Sequence, residues 1–206
     1  MTASILVTDA GGRLGPVVGS IAREVFRPPC HMGARRLVLF ASAPFAPMEK
    51  TMTPRLNNPF KSAPETVKAM LALSATVAAS GLEHSLLELV KIRASQINRC
   101  AFCLHMHTTD ARKAGETEMR IYMLDAWRES SLYTDRERAA LAWTEALTLV
   151  AETGAPDADY DLLKAQFTES EQVNLTFAIG VINTWNRLSV SFRPPVGSYH
   201  PTAVAV

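Results

Sequence analysis

Across residues 62–192 the apolar positions recur every three or four residues, so the chain reads as consecutive helices with short joints. Ser62-Ala-Pro-Glu65 has the form of a capping box with a proline in the first turn. Val67, Met70, Leu71, Ser74 and Ala78 follow at helical spacing, and Gly81 stops the helix. A second helix is predicted over about 83–97, with Leu82, Leu86, Leu89, Val90 and Ile97 on one side. A third starts near Cys100 and stops at Gly115. A fourth covers roughly 117–129, with Met119, Tyr122, Met123, Ala126 and Trp127 as its stripe. Thr134-Asp-Arg-Glu137 is a second capping box and opens a helix ending at Gly154. Asp157 caps a short helix containing Tyr160, Leu163 and Phe167. Thr168-Glu-Ser-Glu171 caps a last helix over 172–192, which Arg193-Pro194-Pro195 ends. That last helix is apolar nearly all round, from Val173 to Val190. Such a pattern belongs to a central helix or one at a subunit interface. Strand-like alternation long enough for a sheet does not occur, and the predicted class is all-α, a multi-helix domain over residues 51–206.

Residues 1–50 read differently. Residues 1–47 hold five arginines and two acids, with Pro28-Pro29, Pro44 and Pro47, whereas the rest of the chain is slightly acidic. The opening Ile5-Leu6-Val7-Thr8-Asp9-Ala10-Gly11-Gly12 is similar to the first strand and turn of a nucleotide-binding fold. Asp9, however, stands where the first glycine belongs, and no second strand or crossover helix follows. No nucleotide cofactor is predicted. The segment reads as an atypical extension, either disordered or lying upstream of a true start at Met48 or Met52.

Charge and composition narrow the function classes. A net charge of +1 offers no electrostatic case for nucleic acid. No apolar run approaches the roughly 20 residues of a membrane span or the core of a secretory signal, so a cytoplasmic location is expected. Three cysteines, one of them the distant Cys30, do not make a secreted disulfide framework. In a reducing compartment the Cys100-Ala-Phe-Cys103 pair points to catalysis or metal binding.

Candidate chemistry gathers around that pair. Cys100, Cys103 and His107 stand at i, i+3 and i+7 and share one stripe of a helix. Thiols at a helix start feel the positive end of the dipole, which favours thiolate. His107 can take a thiol proton, and Glu88 on the preceding helix can orient or recharge it. These parts suffice for a two-thiol cycle that closes a Cys100–Cys103 disulfide. Spacing alone does not say which cysteine attacks, although the histidine neighbour favours Cys103. His84, His105, His200 and Cys30 read as structural or surface residues. Trp127, Trp143 and Trp185 read as core or interface aromatics.

The pattern Glu88-x11-Cys100-x2-Cys103-x3-His107 resembles the core signature of the alkylhydroperoxidase D family, within the carboxymuconolactone decarboxylase-like superfamily. The flanks Leu86-Leu-Glu-Leu-Val-Lys-Ile-Arg93 and Ile182-Asn-Thr-Trp185-Asn186-Arg187 extend the resemblance, which covers about residues 52–201. It implies an all-helical fold and a homotrimer or homohexamer. It also implies peroxidase or disulfide-reductase activity, with Glu88, Cys100, Cys103 and His107 as a proton relay. It implies an organic hydroperoxide as substrate and a lipoyl-linked or thioredoxin-like protein as reductant, with no bound metal, haem or nucleotide. Phe102 departs from the family's best-studied members, which carry a histidine there. The alternatives are a non-redox carboxymuconolactone decarboxylase-like enzyme, which needs no dithiol, and a small zinc-binding helical protein using the same four side chains. A thioredoxin-like fold would need a strand before the cysteine pair, and haem attachment would need histidine at Leu104.

Overall fold

The computed structural model describes residues 53–197 and, near the N-terminus, two short strands, Val7–Thr8 and Leu14–Gly15, paired antiparallel. The chain divides between Glu49 and Lys50 into two units. The strand pair belongs to the first; the expectations for the rest of residues 1–50, and for Cys30 and His200, fall outside the described residues.

The second unit is all-helical. Its elements are α1 (Pro59–Ser62), α2 (Pro64–Ala78), α3 (His84–Ile97), α4 (Ala101–Lys113) and α5 (Glu118–Tyr122). A 3-10 turn (Met123–Ala126) follows, then α6 (Asp135–Thr148), α7 (Val150–Thr153), α8 (Asp157–Gln166) and α9 (Glu169–Phe192). Helix α3 packs on α4, α6 and α9, and α9 also contacts α2, α4, α6 and α8. Helix α3 is buried almost all round because its apolar residues serve two cores. Leu86, Leu87 and Val90 meet Ala139, Ala140 and Trp143 of α6 and Leu175 and Ile179 of α9. Leu89 and Ile92 turn the other way, toward Leu124, Trp127, Tyr133 and Leu141.

Both later capping boxes form. Thr134 and Glu137 exchange side-chain and backbone bonds at the start of α6, and Thr168 and Glu171 do so at the start of α9. Because the first helical residue directly follows its cap, α9 begins at Glu169, three residues earlier than predicted. The box expected at Ser62 does not form. Asn58 caps a separate turn there, with Pro59 in its first position, and the hydroxyl of Ser62 donates back to the Asn58 carbonyl. The fourth predicted helix is also broken. Helix α5 stops at Tyr122, and the following 3-10 turn lets Leu124 and Trp127 reach the core while Met119 and Tyr122 remain exposed. Tertiary burial selected one of two apolar registers in that stretch. Among the described residues no helix is long and apolar enough to cross a membrane.

Candidate active site

The site is built at the turn from α3 to α4. Helix α3 ends in a double-bonded cap: the Arg99 N–H donates to the Gln96 carbonyl at 3.1 Å and the Cys100 N–H to that of Ser95 at 3.0 Å. Glycine usually occupies the left-handed position of this cap, but Arg99 does so here at φ 54°. A non-glycine residue in that region costs on the order of 1–3 kcal/mol. Helix α9 offsets it. The Asn98 amide donates to Asn183 Oδ1 and Asn186 Oδ1, both at 2.9 Å. The Asn186 amide donates to Ser95 Oγ at 3.0 Å, and that of Asn183 to Thr148 Oγ1 at 3.1 Å. Asn183 and Asn186 are buried and act as pins between the last helix and the turn that presents the cysteines.

Cys100 is the N-cap of α4, and its Sγ accepts from the Cys103 N–H at 3.4 Å. Both cysteines are buried, reduced, and packed with Ala94 and Ile182. Their environments differ. The hydrogen bond between the thiols favours the anion at Cys103. Burial opposes this, while Asn186, Ser189 and the nearby His107 reinforce it, so Cys103 is drawn down to about 6. The thiol of Cys100, facing the Cys103 anion and shielded from water, is pushed up. Cys103 also lines an apolar cavity of about 420 Å³ between α2, α4 and α9. His107 and Lys91 line it too, whereas Cys100 and His105 are not among its lining residues. Phe102, at the position where a histidine was expected from the resemblance, turns into this cavity. It stacks obliquely with Phe60, which in turn meets Trp185, at centroid distances of 6.4 and 6.2 Å. The departure therefore gives the cavity an aromatic wall.

Behind Cys103, one helical turn on, lies His107. Its Nδ1 is 2.9 Å from Oε2 of Glu88, and both side chains are shielded, at 10% and 4% exposure. Lys91 Nζ donates to Glu88 Oε1 at 2.7 Å. Burial would raise the pKa of Glu88, but the hydrogen bond and charge of His107, together with Lys91, outweigh it and hold the carboxyl at about 2. Glu88 is thus ionised, accepts from Nδ1 and leaves Nε2 as the working nitrogen of the imidazole. The structure therefore pairs Glu88 with His107 and Cys100 with Cys103, and brings Cys103 and His107 to one cavity. Sequence reasoning missed Asn186 and Ser189 as thiol neighbours. The Ile182–Arg187 flank carried the signal for Asn186, but no pattern marked Ser189. Among the described residues no group of three or more His, Cys, Asp or Glu side chains is placed to hold a metal ion.

One expected outcome concerns the pins. Asn186→Ala removes one of the two acceptors of the Asn98 amide, the donor to Ser95 and a donor to Cys103. It should destabilise the fold by about 1–3 kcal/mol in a urea melt, and raise the midpoint of Cys103 thiolate formation in a pH-dependent alkylation assay.

The fold and this turn define a class: all-helical proteins that present a CxxC dithiol from a helix start. The sequence model of the carboxymuconolactone decarboxylase family matches residues 64–146. YdfG of Bacillus subtilis, itself uncharacterized, is 43% identical over 132 residues, 64% of this chain and 90% of its own length. A crystal structure from Agrobacterium tumefaciens, of a protein of unknown function for which an AhpD-type antioxidant defence role has been suggested, is 49% identical. It covers 73% of this chain and 99% of its own, with a TM-score of 0.67. The debrominase Bmp8 shares the fold at 17% identity and a TM-score of 0.59, with coverage of 68% of this chain and 75% of its own. The chain belongs to the AhpD-like, carboxymuconolactone decarboxylase-like family.

Proposed function

We propose that the protein is a thiol-dependent peroxidase and disulfide oxidoreductase that reduces organic hydroperoxides through a Cys100–Cys103 disulfide. The observation that carries this reading is the placement of Cys103 beside His107 on an apolar cavity, with Glu88 buried behind the imidazole. The Cys103 thiolate attacks the terminal peroxide oxygen; an S–O bond forms and the O–O bond breaks. The departing alkoxide takes a proton from protonated His107 and leaves as the alcohol. The Cys100 sulfur then attacks the Cys103 sulfenic acid. The S–S bond forms, the S–O bond breaks, and the released hydroxide takes the Cys100 proton to become water. Glu88 fixes the tautomer of His107 and stabilises its charged form.

No bound cofactor is required, because an external dithiol, lipoyl-linked or thioredoxin-like, reopens the disulfide by exchange. We place this chemistry in the cytoplasm, where such reductants keep thiols reduced. A homotrimer or homohexamer would cover the apolar side chains that α9 leaves exposed, Val173 and Phe177 among them.

Reduced protein should lose two hydrogens on one equivalent of tert-butyl hydroperoxide, by intact mass, with the new bond mapping to Cys100–Cys103. Oxidation no faster than that of a free thiol in the same buffer would end the peroxidase reading.

A further inference from the structure

The two oxygens of the Glu88 carboxylate face two imidazoles. Oε2 meets the shielded His107 at 2.9 Å, and Oε1 lies 3.9 Å from Nε2 of His84. His84 is the first residue of α3 and is 64% exposed. Glu88 also borders a second cavity, of about 160 Å³, lined by His84, Ser85 and Glu116 among others, and distinct from the apolar one that holds Cys103. The buried carboxylate therefore stands between the imidazole that lines the apolar cavity and a second pocket that leads to a surface histidine.

The chemistry above creates a need for such a second access. Each turn discharges one proton from His107 to the alkoxide. Reduction must return two protons, one to Cys100 and one to His107; a dithiol that attacks as its mono-thiolate brings one, which restores the Cys100 thiol, and leaves the other in bulk water, so His107 is reloaded from water. The cavity at Cys103 is apolar, and in the proposed reaction the hydroperoxide occupies it. We propose that His84 is the outer end of a proton path, His84–Glu88–His107, that reloads the buried imidazole through the smaller cavity. His84 acts through Glu88 and touches no reacting atom.

The other charged groups around this path do not replace His84. Lys91 also meets Oε1, but an ammonium yields its proton near neutral pH far less readily than an imidazolium does. Glu116, facing from the turn after α4, is tied to Arg120 at 2.9 Å, and Glu83 is tied to Arg136. A gap of 3.9 Å closes by a small side-chain rotation or through one bridging water.

This inference rests on the peroxidase reading, and kinetics separate the two. The first turnover of pre-reduced enzyme draws on the proton that His107 has gained during equilibration, whatever route brought it. The first burst of disulfide formation with cumene hydroperoxide should therefore match in wild type, His84→Ala and His84→Lys. Steady-state turnover at saturating dithiothreitol in weak buffer should fall by on the order of 10²-fold in both variants. Tens of millimolar imidazole should restore turnover in His84→Ala and leave wild type unmoved. His84→Lys keeps the positive charge near Glu88, so its loss excludes a purely Coulombic role. A normal burst with unchanged turnover in His84→Ala, or a loss that imidazole does not repair, overturns the proton path alone. A wild type without a burst overturns the peroxidase reading and the path with it.

Discussion

Cys103→Ser is expected to remove peroxide-driven turnover by on the order of 10³-fold or more, whereas Cys100→Ser is expected to keep the first chemical step and lose only the second. The asymmetry follows from placement. Cys103 borders the apolar cavity beside His107, while Cys100 caps the helix behind it and has no face on that cavity. The hydrogen bond between the thiols puts the anion on Cys103 and the proton on Cys100. In Cys100→Ser one equivalent of hydroperoxide should therefore leave a sulfenic acid on Cys103, which a dimedone-type trap would label and intact mass would count. Excess peroxide should drive the same sulfur on to sulfinic acid, since nothing resolves it. If Cys100→Ser were inert and Cys103→Ser formed the trapped adduct, the order of attack would be reversed.

Glu88→Gln carries the second large effect, and it reaches both activity and stability. A neutral amide no longer favours the imidazolium, so turnover should fall by on the order of 10²-fold, the size typical of a lost acid–base element. Its stability effect has a definite sign. The carboxyl is held at about 2 in the folded protein against an ordinary 4.5. The folded state therefore gains from its ionisation at any pH above about 4.5 and loses that gain as the pH drops toward 2. For a side chain this shielded the gain is on the order of 3 kcal/mol. Urea midpoints measured from pH 7 down to pH 3 should fall in wild type, and the fall should be shallower in Glu88→Gln. Parallel curves would show that this carboxylate does not govern the acid limb.

The parts of this architecture that were legible in the sequence are those set by local spacing. Thr134–Glu137 and Thr168–Glu171 are three residues apart and form their caps without help from the rest of the fold. Cys103 and His107 share a helix, so their common face follows from helical geometry. Glu88 was harder, since its contact with His107 spans 19 residues and depends on how α3 packs against α4. The family pattern drew attention to it before geometry could. Two kinds of feature stayed hidden. The first was competition between apolar registers: in 117–129 Trp127 faces inward as its stripe implied, but either Met119 and Tyr122 or Leu124 could have joined it, and only the packing around α3 and α6 decides. The second was long-range polar contact. Asn186 reaches Ser95 across 91 residues, and the aromatic wall joins Phe60 to Trp185. The surface reading of His84 agrees with its exposure; what the spacing could not show was the second pocket that links it to Glu88.

The asparagine pins alter what counts as a self-sufficient piece of this chain. The match to the family's sequence model ends at residue 146 and already contains Glu88, both cysteines and His107. Yet the turn that aims the cysteines holds Arg99 in a costly conformation, and the bonds that offset this come from Asn183 and Asn186 on α9. A fragment that stopped after α8 would keep every residue of the motif and lose the brace that gives those residues one arrangement. The reactive centre is in this sense a cooperative property of the ends of the domain, written in the middle of the sequence and held from its last helix.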